Sequence, residues 1–111
     1  MKAEERLKTL LEFLSQDPDD TFTRYAIATE YNNMGDTDTA QMHYEYLIAH
    51  HPDYVGTYYH LGKLYEKKSW TEKAIETYQK GMQVALKAKN MHAHSELQTA
   101  YRIAAGLEYD E

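Results

Sequence analysis

Tyr58-Tyr59-His60-Leu61-Gly62-Lys63-Leu64-Tyr65 is the stretch that decides how this 111-residue chain folds. Leu61, Leu64 and Tyr65 recur at helical spacing and so share one face of a helix. Gly62 sits among them, although a glycine inside a helix costs about 1 kcal/mol relative to alanine. That cost is accounted for if the missing side chain lets another helix approach. The stretch also has a copy. Thirty-four residues earlier the chain reads Arg24-Tyr25-Ala26-Ile27-Ala28-Thr29-Glu30-Tyr31, so that Leu61 answers Ile27, Gly62 answers Ala28 and Tyr65 answers Tyr31. Downstream, Ala74 answers Ala40 and Tyr78 answers Tyr44, and Thr23/Thr57, Tyr25/Tyr59 and Thr37/Thr71 are identical pairs. Small and aromatic residues in fixed slots at a fixed period mark a repeat architecture.

The first unit spans residues 21–54 and carries Ile27, Ala28, Tyr31, Gly35, Ala40, Tyr44, Leu47 and Pro52. The second spans 55–88 and carries Tyr58, Leu61, Gly62, Tyr65, Ala74 and Tyr78. These slots resemble the tetratricopeptide repeat. Three positions depart from it: Arg24 stands where a large apolar residue is usual, and Gly81 and Leu86 stand where Ala and Pro are usual. The resemblance implies an all-α fold, a solenoid of antiparallel helix-turn-helix units. With flanking segments it makes about six helices in one domain over residues 1–111.

The composition narrows the function. There is no cysteine, hence no disulfide and no thiolate metal site. The charged start, Met1-Lys2-Ala3-Glu4-Glu5-Arg6, lacks the apolar core of a signal peptide, and no apolar run is long enough to span a membrane. The expected location is cytoplasmic. Residues 1–54 hold four Lys/Arg and eleven Asp/Glu, 4 − 11 = −7; residues 55–111 hold eight and seven, 8 − 7 = +1. An acidic chain without a basic stripe argues against nucleic acid as a partner.

The helices can be placed in order. Ala3, Leu7, Leu10, Leu11 and Leu14 form an apolar stripe over residues 2–16, closed by Asp17-Pro18. This helix is expected to cover the apolar edge of the first repeat. Asp19 or Asp20 is expected to cap a helix over 21–33, and Asp36 one over 37–50. Asp53 is expected to cap a helix over 54–67, and Ser69-Trp70-Thr71-Glu72 has the spacing of a capping box. The fifth helix is expected to run from about residue 70 to Lys89, with Asn90 as the break. Residues 91–107 then form a C-terminal capping helix, and Tyr109-Asp110-Glu111 a frayed tail.

No catalytic constellation emerges. The six histidines include no i, i+4 pair of the kind a helical zinc site needs. Ser15, Ser69 and Ser95 lie in no nucleophile elbow, and the five glycines are too dispersed to cradle a phosphate. Neither cofactor nor metal is expected, and the chain is read as a non-enzyme.

What remains is a binding surface, and here the resemblance supplies the positions. In tetratricopeptide proteins the first helix of each repeat lines a concave groove. The matching positions are Phe22, Tyr25, Thr29 and Asn32 in the first repeat, and Tyr59, Lys63 and Glu66 in the second, with His60 beside them and Lys67 at the helix end. Such a set implies an extended peptide or protein segment as the partner. Chaperone-binding members clamp a C-terminal carboxylate with Lys and Asn at two first-repeat slots that here hold Tyr25 and Thr29, so the resemblance does not extend to that ligand. The alternative reading is a homodimer formed through the terminal helices, with Leu97 or Tyr101 in the contact.

Overall fold

The computed structural model describes residues 2–107, and among them it holds six helices and no strand. They are α1 (Ala3–Gln16), α2 (Thr21–Asn33), α3 (Thr37–His50), α4 (Gly56–Lys67), α5 (Thr71–Lys87) and α6 (Met91–Ala104). The Tyr109-Asp110-Glu111 tail lies outside the described residues. No described helix is long and apolar enough to cross a membrane.

The first three helices follow the sequence reading closely because their boundaries are chemically marked. The Asp20 carboxylate accepts from the Thr23 amide at 2.9 Å, and that of Asp36 from the Thr39 amide at 3.1 Å. Each satisfies one of the orphan N–H groups at a helix start. Gly35, at φ +90°, lets the chain leave α2, with the Asp36 amide reaching back to the Tyr31 carbonyl at 2.9 Å.

The later boundaries correct the expectation. No side chain caps α4, which starts at Gly56 rather than 54; Asp53 is not its cap. The Ser69 capping box does not form either. Ser69 takes φ +65° as the left-handed residue that closes α4, so its hydroxyl is not presented to α5, and Trp70 occupies the cap position without a side-chain bond. Lys89 plays the same left-handed part after α5, which ends at Lys87. Asn90 caps α6 through the Ala93 amide at 3.0 Å. That helix ends at Ala104 because Gly106 turns left-handed and the Leu107 amide folds back onto the Arg102 carbonyl.

The chain gathers into two compact units, divided between His51 and Pro52. In the first, α2 packs against α3 and α1 lies on α2. Ile27, Ala28, Ala40, Tyr44 and Leu47 are its core, joined by Leu7 of α1. The Arg6 guanidinium adds a two-pronged bond to Glu30. Arg24 does not leave a hole at its apolar slot. Its guanidinium lies 3.7 Å from the Tyr46 ring centroid, donates to the Pro18 carbonyl at 2.9 Å and to Nδ1 of His43 at 3.1 Å. His43, stacked on Tyr31, is therefore an acceptor at Nδ1; burial, then the neighbouring Arg24 charge, pushes its pKa down.

In the second unit α4 and α5 form a hairpin and α6 packs on both. Tyr58, Leu61, Leu64, Tyr65, Ala74, Tyr78, Ala85, Leu97 and Ala100 are buried there. Two glycines make the contact close. A Cβ on Gly81 would stand 2.5 Å from Cβ of Tyr58 and 3.1 Å from Leu97; one on Gly62 would clash with the edge of the Tyr78 ring, 2.7 Å from both Cδ1 and Cζ. Gly62 is thus the close-approach glycine its place in the helix implied. Leu97, only 1% exposed, is core and not part of an association surface.

Candidate functional site

Of the groove positions implied in the first unit, Phe22 is the most open, at 64% exposure. Tyr25, Thr29 and Asn32 are partly covered. Tyr25 tilts against Tyr44 with ring centroids 6.2 Å apart. The Thr29 hydroxyl bonds the Tyr25 carbonyl and the Tyr44 hydroxyl, at 3.0 and 2.9 Å. Burial drives the Tyr44 phenol up to about 12, so it stays a neutral hydrogen-bonding group. Asn32 differs from these: its Oδ1 is buried and takes no hydrogen bond. Buried acceptors are nearly always satisfied, so this one stands out within its unit.

In the second unit Tyr59 and Lys63 form one wall of a cleft between α4 and α6, with a volume of about 320 Å³. The facing wall comes from α6: His92, Ser95, Glu96, Thr99, Ala100 and Ile103. The Lys63 ammonium lies 5.6 Å from the Tyr59 ring centroid and 3.9 Å from a Glu66 oxygen. Glu66 is less a surface group than a strut. It accepts the hydroxyl of buried Tyr78, and burial, then that bond, raises the Tyr78 pKa. His60 does not line the cleft; its ring meets Tyr59 edge-on at 5.8 Å. Burial lowers its pKa, with Glu96 pulling the other way. Lys67 is exposed and also outside the cleft lining.

Of the positions carried over from the repeat, Tyr59 and Lys63 fall on the α4 side of this cleft and none on its α6 side. The period that identifies α4 does not continue through α6, so no groove slots could be carried onto it. The usable signal was local: Ser95, Thr99 and Ile103 recur at i, i+4 and i+8 and so share a face. Among the described residues no group of three His, Asp or Glu side chains is placed to hold a metal ion.

Stacked helix hairpins in which a small residue on one helix receives a tyrosine from the next, repeated at a fixed period, place the chain among helical-repeat proteins. Residues 55–87 match the tetratricopeptide repeat. The chain is 47% identical to a tetratricopeptide repeat domain protein from Salinibacter ruber whose structure was determined in solution by NMR. That match covers 86% of this chain and 96% of the other, with a TM-score of 0.78. A crystal structure of a tetratricopeptide repeat domain protein from the same organism gives 48% identity over 80% of this chain and 100% of the other, TM-score 0.77. A Bordetella parapertussis protein is 22% identical over 89% of this chain and 86% of its own, TM-score 0.77, a likeness of fold alone. No curated protein matches the chain. The chain therefore belongs to the tetratricopeptide repeat family, and domains of this family serve as protein–protein interaction modules that are generally non-catalytic.

Proposed function

We propose that the cleft between α4 and α6 takes a short extended segment of a partner protein. The observation that carries this reading is the pairing of an aromatic-cationic wall, Tyr59 and Lys63, with a hydroxyl-bearing and apolar wall, Ser95, Thr99 and Ile103, across about 320 Å³. Such a volume accepts a few side chains and not a folded surface. Tyr59 and Ile103 supply apolar area, Ser95 and Thr99 supply hydrogen bonds to an extended backbone, and Lys63 favours a carboxylate nearby. Glu66 tempers that preference, because it already shares the Lys63 charge. The role is a cytoplasmic scaffold without catalysis, nucleic acid or membrane.

The test is selection of binders from a random peptide library displayed on phage, followed by affinity measurement. Selected peptides are expected to bind Tyr59→Ala and Ile103→Ser about tenfold more weakly, the loss of one well-packed contact. Peptides that bind both variants as tightly as the parent would overturn the assignment of the cleft.

A second reading, self-association, is favoured by α1, where Leu11 and Phe13 remain exposed on a terminal helix. It predicts a mass that rises with concentration above 13.0 kDa and returns to that value in Phe13→Ser. A constant 13.0 kDa by light scattering removes it.

A further inference from the structure

The α4–α6 cleft carries opposite charges on its two walls, and they do not satisfy each other. Lys63 stands on α4 and Glu96 on α6, and both line the cleft. Among the described residues no ion pair joins them. Each is tied only loosely to a neighbour on its own helix. The Lys63 ammonium lies 3.9 Å from a Glu66 oxygen, and Nε2 of His92 lies 3.6 Å from a Glu96 oxygen. Both separations exceed the reach of an N–H···O hydrogen bond, about 3.2 Å. Glu66 is engaged elsewhere as well, since it accepts the hydroxyl of Tyr78. His92 is 87% exposed and attracts Glu96 with a full charge only when protonated. The side chains of Lys63 and Glu96 stay open, at 46% and 55% exposure. The cleft thus keeps one cation and one carboxylate, one on each wall, with hydrogen-bonding capacity unused.

We infer that the partner segment taken by this cleft carries an acidic residue directly beside a basic one. The inference rests on the cleft reading above and names the chemistry of its partner. An extended chain sends successive side chains to opposite faces. Lying between α4 and α6, it turns one side chain to the α4 wall and the next to the α6 wall. A carboxylate on the first meets Lys63, and an ammonium or guanidinium on the second meets Glu96, each in a charge-assisted hydrogen bond. A segment with two adjacent acids sets one of them against Glu96, and a segment with two adjacent bases sets one against Lys63. Rejection therefore contributes to selectivity as much as attraction does. In this chain an acidic residue stands directly beside a basic one only at Glu5-Arg6, Glu66-Lys67 and Glu72-Lys73, and all three pairs lie inside helices, α1, α4 and α5. None is presented as an extended segment, so the occupant is a different protein and not a second copy.

The probes are synthetic, fluorescently labelled peptides taken from the phage selection, with a fixed set in one uncharged frame that places acidic-basic, acidic-acidic, basic-basic or uncharged residues at two adjacent positions. Anisotropy reads their binding. Dependence on Tyr59 reports whether a peptide sits in the cleft, and dependence on the peptide's charges reports the inference, so the two can fail separately. Peptides that bind Tyr59→Ala weakly are expected to hold the adjacent pair, and alanine at either member to weaken binding about threefold, the size of a part-exposed ion pair. The double variant Lys63→Glu, Glu96→Lys is expected to bind them at least about tenfold more weakly, and to bind peptides with the two charges exchanged as the parent binds the originals. If that variant folds poorly, the alanine series on the parent chain decides alone. Tyr59-dependent peptides that lack the pair, or that bind as tightly without it, overturn the inference and leave the cleft standing. Acidic-acidic peptides that outbind the mixed ones overturn it in favour of an acidic segment. If no peptide depends on Tyr59, the cleft reading falls and the inference falls with it. A mass that doubles with concentration while peptide binding is suppressed in step overturns it in favour of a second copy.

Discussion

Replacing Gly62 by alanine tests how the second unit is packed. On an open helix face the change stabilises by about 1 kcal/mol. Here the added Cβ would clash with the edge of the Tyr78 ring, and Tyr78 is fully buried. The first unit shows why the ring cannot simply step aside. There the same slot holds Ala28 and faces Tyr44, whose hydroxyl bonds Thr29, the residue next to Ala28. In the second unit Thr29 is replaced by Lys63, and the Tyr78 hydroxyl instead reaches Glu66, one turn farther along α4. The ring therefore lies across residue 62. Overpacking of a tight core costs about 1–3 kcal/mol, and loss of the Tyr78–Glu66 bond about 1.5–3 kcal/mol more, because its acceptor is charged. Set against the helical gain, the net loss is about 1.5–5 kcal/mol, which lowers the melting temperature by roughly 6 °C or more for a chain of this size. Urea unfolding followed by circular dichroism measures it. Adding Lys63→Thr, which rebuilds the first unit's hydroxyl partner, is expected to recover at least half of the loss. A Gly62→Ala variant as stable as the parent, or more so, would refute the account of the ring.

Other expectations follow from the same structure. Ser69→Gly relieves a left-handed backbone and is expected to raise stability by about 1 kcal/mol, seen as a higher urea midpoint at unchanged slope. Asp20→Ala removes the cap that accepts from Thr23 and is expected to cost about 1 kcal/mol in the same assay. His43 and His60 both have folded pKa values below 6.5, set first by burial. Their contribution is complete above that value, and it is lost as pH falls through 6.5 towards their folded values, because the unfolded chain takes up protons first. The midpoint should therefore fall between pH 7 and 5, and the fall should be shallower in His43→Gln, which keeps an acceptor for Arg24 and does not titrate.

How much of this could be read in advance depends on the range of each interaction. The 34-residue period, the paired small and tyrosine slots, and the caps Asp20, Asp36 and Asn90 are local patterns, and every helix was legible from them to within a few residues. Asp53 fails because α4 starts only at Gly56, with Val55 in the cap position, and Ser69 fails because it takes φ +65° one residue before Trp70 in the cap position; residue type reports neither the exact start of a helix nor φ. Of the candidate cleft, Tyr59 and Lys63 on α4 could be carried over from the repeat, while the positions on α6 could not.

The amino-acid sequence by itself determined the helical class, the repeat and most of the buried residues, because burial of one helix face leaves a periodic trace. Only the tertiary structure decided which hydroxyl meets which acceptor, that Glu66 braces Tyr78, that α6 closes the cleft beside Tyr59, and that Glu96 stands on the wall facing Lys63. Those facts depend on side chains from different helices meeting in space, and no period within one helix encodes such a meeting.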